Sequence, residues 1–311
     1  MSNSIKTLVG KTKYGSKTAE KELALRQKSF LDTGLRGFGG GRIVFNLTED
    51  IENYLSYICG NIGKVMKSDV KEVILIDSYS SATIEGARTS IENVRKAFGA
   101  KKKSKSDQMV INTVAGTSFA IENGVSEDNI RALWEIIVKD VCENVSVMGE
   151  KYRSGEVVIA SEDRVIHTPC DYRQIPAYMD TLFAYDYSDI LLSECIKHFY
   201  FVYVHPFCDG NGRLARVWTY SNLIRKFNKQ FQYISISDEI MNNVHHYYNS
   251  LAESEFVYEG KLDITTFIEF FLNCICSAIS KGITSDILLD DVDRNILKMI
   301  NKDGITVVKL L

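Results

Sequence analysis

A mostly α-helical chain carrying one small β-hairpin is the fold class this sequence predicts, on three observations. From about residue 48 to 285 the apolar residues recur at helical spacing. One stretch, GEVVIASEDRVIHTPC (155–170), breaks that pattern with two β-rich runs, VVIA and RVIH, around a polar connection. Prolines occur only at 169, 176 and 206, so little in the chain opposes helix.

Taken in order, residues 1–46 are polar and end in RGFGGGR (36–42). No strand pattern precedes those glycines and no helix start follows at once, so the segment reads as a flexible N-terminal arm rather than a nucleotide loop. A helical region over 47–107 comes next. Thr48 is the expected N-cap of a helix bearing Ile51, Tyr54, Leu55 and Ile58. Ser68 is the expected cap of a second, with Val70, Val73, Ile74 and Ile76 apolar and Gly86 ending it. KKKSK (101–105) has no interleaved aromatics and reads as a solvated loop. The main body spans 108–284 and opens with two expected helices, 108–122 and 127–145. After the hairpin, helix resumes near 176. Ile190, Leu192, Cys195, Ile196, Phe199, Tyr200 and Tyr203 form a wide apolar face, as a central helix needs. Pro206 disfavours helical geometry at His205 and ends that helix. The tail, 285–311, resembles the opening of a winged helix-turn-helix and stops before a recognition helix.

The net charge of −3, from 37 basic and 40 acidic residues, gives no global field that draws nucleic acid or an anionic membrane. Neither a signal-peptide core nor a membrane-length apolar run is evident, and no membrane partner is expected. Seven cysteines without a CxxC pair are expected to be reduced thiols in a cytoplasmic protein. His245 and His246 are adjacent, so they project apart on a helix and make no metal site.

The densest chemistry lies in HPFCDGNGRLAR, 205–216. Gly210 and Gly212 free the backbone to aim successive N–H groups at one point. Leu214, Val217, Trp218 and Ile224 then share a helical face, so the loop sits at a helix N-terminus, where an anion is favoured. Arg213 and Arg216, three apart, add guanidinium forks that suit phosphate oxygens. Asp209 borders this nest, and a carboxylate facing phosphates calls for a cation between them; Mg²⁺ is the economical choice. His205 supplies a proton acceptor near neutrality. The combination points to a hydroxyl attacking phosphorus.

These twelve residues match the HxFx(D/E)GNGRxxR motif at every fixed position, and the chain resembles the Fic-domain family over roughly 49–281, including His167-Thr168-Pro169 and HHYYNSL…DITTFIEFFL (245–272). The resemblance implies a Fic-type helical core with a β-hairpin flap. It also implies a protein adenylyltransferase that moves AMP from ATP to a target-protein hydroxyl and releases pyrophosphate. On it, His205 is the base, Asp209 holds Mg²⁺, and Gly210, Asn211 and Gly212 form the anion hole. Arg213 meets the β-phosphate region and Arg216 the γ-phosphate. Phe207 is a core anchor, and Tyr247 and Tyr248 border the adenine or simply pack. The flap at Ile166, His167 and Thr168 pairs with an extended target segment. Ser81-Ala82-Thr83-Ile84-Glu85-Gly86 is similar to the family's inhibitory (S/T)xxxE(G/N) motif, which makes Ser81 and Glu85 an inhibitory pair acting on Arg216. Physics adds a reason: Glu85 precedes a C′-type glycine, where the helix dipole disfavours a carboxylate unless a cation is close. A homodimer is compatible with the sequence. Two alternatives stay open: de-AMPylation by the same site, or a nucleotide-sensing DNA-binding regulator, although the residues present do not favour nucleic acid.

Overall fold

The computed structural model describes residues 3–142, 145–161 and 164–284; the winged-helix reading of the tail lies outside them. In chain order the elements begin with α1 (Ile5–Lys13), α2 (Lys17–Lys28), β1 (Phe30–Arg36), β2 (Arg42–Asn46), α3 (Glu49–Asn61), α4 (Val70–Ile84), α5 (Ile91–Phe98), α6 (Lys105–Asn123) and α7 (Ile130–Val138). The hairpin follows as β3 (Ile159–Ser161) and β4 (Arg164–His167), then α8 (Ile175–Ala184), α9 (Ile190–Val204), α10 (Asn211–Asn222), α11 (Ile236–Asn242), α12 (Val244–Ser254), β5 (Val257–Tyr258), β6 (Lys261–Asp263) and α13 (Thr265–Thr284).

The flexible-arm expectation for 1–46 is corrected, because residues 3–46 are folded. Ser4 and Ser16 cap α1 and α2 by accepting from the Thr7 and Ala19 amides. Ile5, Leu8, Ala19 and Leu23 bury a small cluster against Phe256 and Tyr258. β1 and β2 pair antiparallel, and β2 pairs parallel with β6, so that Ile43 lies opposite Leu262. A buried ion pair, Arg26 Nε to Asp263 Oδ2 at 2.5 Å, fastens the segment to that sheet. Its partners come from the far end of the chain, so no local pattern announces it. RGFGGGR is the β1–β2 turn: Gly39 and Gly40 take φ of 75° and 83°, and Phe38 stacks on Tyr203 with ring centroids 3.9 Å apart.

The rest is helical around α9, which is buried on nearly every side and packs against α8, α10 and α13. α10 lies between α9 and α6. Leu214, Val217 and Trp218 are buried there, as is Ile224 in the turn that follows. α13 is 20 residues of mean hydropathy 1.3, long and apolar enough to cross a membrane, yet Phe267, Ile268, Leu272 and Ile279 are fully enclosed against α3, α9, α11 and α12. Two boundaries depart from expectation. Asp69 rather than Ser68 caps α4, its Oδ1 accepting from the Lys71 amide at 2.9 Å. α7 stops at Val138, not 145, because Lys139 turns to extended backbone.

The position of α4 matters most for the site. It packs on α6 and α11 and ends in a Schellman motif, with Gly86 N–H donating to Thr83 O and Ala87 N–H to Ala82 O. Buried Asp77 ties it to the start of α11 by accepting from Ser235 Oγ (3.0 Å), Ser237 N (2.8 Å) and Ser237 Oγ (2.9 Å). Burial raises the Asp77 pKa, an effect that these hydrogen bonds and Arg216 only partly offset. Asp77→Ala strands three donors and is expected to lower unfolding stability by about 2–4 kcal/mol, measured by urea denaturation. Asp77→Asn, which keeps an acceptor without a charge to desolvate, is expected to cost clearly less; equal losses would remove the tie.

Candidate active site

The loop from 205 to 212 is shaped by three backbone constraints. His205 caps α9 in the left-handed region (φ 52°), its N–H donating to Phe201 O at 3.0 Å. Asn211, buried, clamps the loop from inside: its Oδ1 accepts from Phe207 N (3.0 Å) and its Nδ2 donates to Phe207 O (2.8 Å). The Asn211 side chain is therefore a staple, and toward an anion only its backbone amide is available, alongside those of its glycine neighbours. Gly210 takes φ 78° to start α10, where an added Cβ would fall 2.7 Å from Val138. Trp134 stacks on Phe207 (5.3 Å) and donates from Nε1 to Asp209 O (2.9 Å).

These constraints bring His205, Asp209, Gly210, Gly212, Arg213 and Arg216 to one side of the α10 N-terminus, beside a polar cleft of about 400 Å³ lined by Glu85, Lys105, Cys208, Asp209 and Arg213. His205 Nδ1 lies 3.3 Å from Val202 O. A carbonyl only accepts, so Nδ1 carries the proton and Nε2 the lone pair. Burial, aided by nearby His167, pushes the His205 pKa down to about 3; the ring is neutral at physiological pH. Asp209 Oδ1 accepts from Gly210 N (2.5 Å) and Arg213 Nη2 (3.2 Å), while Oδ2 makes no hydrogen bond among the described residues. That free carboxylate oxygen on the cleft wall fits a hard divalent cation.

Both arginines are buried with a donor to spare. Arg213 Nη1 donates to Ile137 O (3.1 Å), and Arg216 donates from Nε to Ser81 Oγ (2.8 Å) and from Nη2 to Ser81 O (2.9 Å). Arg213 Nε and Arg216 Nη1 have no acceptor among the described residues. Buried donors are ordinarily satisfied, so this pair is what an incoming polyanion would complete.

Glu85 already supplies one anion. Its Oε1 accepts from Arg216 Nη2 at 2.7 Å. A Cβ placed on Gly212 would fall 2.2 Å from the same oxygen, so the carboxylate lies directly on the first turn of α10. Burial opposes its ionisation, but Arg216, with smaller help from Arg213 and His205, outweighs burial and holds the pKa below the ordinary 4.5. Tyr247 is buried, with its hydroxyl 3.0 Å from His198 Nε2. Tyr248 is 40% exposed and donates to Ile84 O (3.2 Å), gripping the end of α4.

The hairpin is docked rather than free. β4 contains the backbone of Ile166, and Thr168 just beyond it is exposed. His167 points inward, Nδ1 2.7 Å from Glu255 Oε2 and Nε2 2.8 Å from Tyr203 O. Its side chain is thus a core anchor, and only its backbone is left for pairing with an extended segment. Sequence reading also missed Arg153. Its buried guanidinium donates to His205 O (2.9 Å), Gly155 O (2.9 Å) and Cys170 O (2.5 Å), joining both ends of the hairpin to the 205–212 loop. An arginine in YRSGEV beside a strand start offers no periodic signal; only the three converging carbonyls give it a purpose. Cys142 and Cys208 bring their thiols to 3.6 Å at the cleft.

Two outcomes follow from this geometry. Gly212→Ala is expected to expel Glu85 yet obstruct the same spot, so calorimetric titration with a non-hydrolysable ATP analogue shows no gain in affinity, whereas Glu85→Gly gains roughly ten- to a hundredfold. Because the Glu85 pKa is lowered on folding, the stability from its pair with Arg216 is full above the ordinary 4.5 and lost as pH falls through the lower folded value. Thermal melts of wild type and Glu85→Gln should therefore differ by a constant amount from pH 6 to 8 and converge in acid.

The sequence model of the Fic/DOC family matches residues 124–223. The chain is 29% identical over 221 residues to "Protein adenylyltransferase Fic" of Nematostella vectensis, a match covering 67% of this chain and 48% of that protein, so the chain spans about half the length of this curated relative. Its fold is similar to a Fic family protein from Desulfovibrio desulfuricans G20, with TM-score 0.66, 24% identity and coverage of 82% and 81% of the two chains. A Fic domain containing signaling protein from Bacteroides thetaiotaomicron VPI-5482 is also similar, with TM-score 0.55, 19% identity and coverage of 76% and 94%. With the completed motif inside the matched segment and a fold shared with these structures, residues 124–223 carry a Fic/DOC-family domain.

Proposed function

We propose that this chain transfers AMP from ATP to a hydroxyl of a protein and that Glu85 restrains the transfer. The observation that carries the reading is the pair of buried, acceptor-less guanidinium nitrogens, Arg213 Nε and Arg216 Nη1, at a helix N-terminus with a neutral imidazole on the same loop. A polyphosphate would satisfy both. His205 Nε2 would take the proton of the target hydroxyl as its oxygen attacks the α-phosphorus. The bond from that phosphorus to the bridging oxygen then breaks, and pyrophosphate leaves with its charge met by Arg213 and the α10 amides. Mg²⁺ at Asp209 would supply charge neutralisation between the phosphates. A related name, protein adenylyltransferase, belongs to the curated relative and supports the same chemistry here.

Glu85 would act by occupying Arg216 and the first turn of α10, where the terminal phosphate would otherwise rest. One charge-assisted hydrogen bond contributes about 1.5–3 kcal/mol, so the restraint is a partial brake. The ionised state of Glu85 keeps it in force at neutral pH.

The test is incubation with labelled ATP and lysate. Glu85→Gly is expected to label protein roughly ten- to a hundredfold more than wild type, and adding His205→Ala should remove about 10²–10⁴ of that rate. Label that ignores His205, or no label from either variant, would overturn the reading. Because burial holds the His205 pKa at about 3, the rate of the Glu85→Gly variant should stay flat from pH 8 to 5, without the acid limb of an ordinary histidine.

A further inference from the structure

We propose that His167 is a positioning residue, held as an imidazolium between Glu255 and the Tyr203 carbonyl, that pins the hairpin to the end of the helix bearing His205. The argument begins with hydrogen-bond valence. His167 Nδ1 lies 2.7 Å from Glu255 Oε2 and Nε2 lies 2.8 Å from Tyr203 O. Carboxylate and carbonyl oxygens only accept, and a neutral imidazole owns a single N–H. A neutral ring would set a lone pair against a lone pair on one side, in a site where the ring is 6% exposed. A second proton on the ring satisfies both contacts and places its charge beside a carboxylate.

The location gives this pair a task. His167 is the last residue of β4, and Tyr203 lies two residues before His205 on α9. The rings of His167 and His205 have centroids 6.4 Å apart; those of Tyr203 and Phe38 flank His167 at 5.7 and 6.4 Å. Arg153 fixes the strand-distant ends of the hairpin through Gly155 O and Cys170 O. His167 fixes the strand itself. Val165, two residues earlier, is 60% exposed, so the hairpin keeps surface for an extended segment while its inner end is fastened. The distance from the hairpin edge to His205 is then set by the His167–Glu255 pair. A positive imidazolium nearby also disfavours a proton on His205, which keeps the base neutral.

The role in target placement rests on the proposed AMP transfer; the charge state does not. ¹⁵N-edited NMR of the wild-type protein at pH 7, with the His167 signals among five histidines identified by their loss in His167→Phe, is expected to show both His167 nitrogens protonated. One unprotonated nitrogen, or the proton residing on Glu255, would overturn the proposal. In the Glu85→Gly background, Glu255→Ala is expected to lower labelling of lysate protein from labelled ATP about tenfold while ATP affinity by calorimetry is unchanged. Glu255→Gln, which keeps an acceptor for Nδ1, is expected to restore most of it. Labelling that survives Glu255→Ala intact, or that Gln fails to restore, counts against positioning. If Glu85→Gly labels nothing, the functional reading falls alone and the nitrogen spectrum still decides the charge.

Discussion

A guanidinium sealed in a protein interior must be given acceptors, and Arg216 is sealed. At 3% exposure it cannot rely on water. Its partners are the Ser81 hydroxyl, the Ser81 carbonyl and the Glu85 carboxylate, all from the last turns of α4. That single requirement places α4 across the N-terminus of α10. It explains why a carboxylate is tolerated at the C-terminal end of a helix, where the dipole disfavours it. It also leaves Nη1 without an acceptor among the described residues, so the guanidinium that meets Glu85 retains a donor for a further anion. Asp77, by accepting three hydrogen bonds from the start of α11, fastens α4 independently of Glu85.

The second constraint is the left-handed turn at His205. A non-glycine residue at positive φ is costly, and the surrounding groups hold it there. Its own amide caps α9, its carbonyl receives Arg153, and the next carbonyl, of Pro206, receives the Arg153 amide. Arg153 thus couples three otherwise separate pieces: the end of the central helix, the loop of the motif, and the hairpin. Pre-organisation of this kind is what a positioned base requires. The imidazole needs no rearrangement to present Nε2, since Val202 O already holds the other nitrogen.

Much of the site was legible because its residues are contiguous. Gly210 had to be glycine for a positive φ, and Arg213 and Arg216 had to share a helical face by spacing alone. The capping role of Thr48 and the C′ role of Gly86 were equally local. What escaped reading was built from distant partners. Residues 30–46 look like a polar arm until β6 arrives to pair with β2 and Asp263 arrives to meet Arg26. Asn211 belongs to the motif, yet only the folded loop shows that its amide is spent on Phe207. His167 ends a hairpin strand, and nothing near it in sequence announces that a carboxylate 88 positions away holds its ring. The α4 cap moved from Ser68 to Asp69 because the Asp69 carboxylate takes the Lys71 amide, and α7 ended at Val138 because the backbone turns at Lys139.

The sequence by itself determined the mostly helical fold class and the glycine-flanked loop that opens a helix with two arginines on one face, since each follows from backbone freedom and helical spacing within a few residues. Tertiary structure alone decided which oxygen meets which nitrogen. It assigned His205 its tautomer and lowered pKa, and turned Asn211, Arg153 and His167 into fasteners. The physical reason is range. Local dihedral preferences act between near neighbours in the chain, whereas desolvation and ion pairing act between groups that only folding brings within a few ångströms.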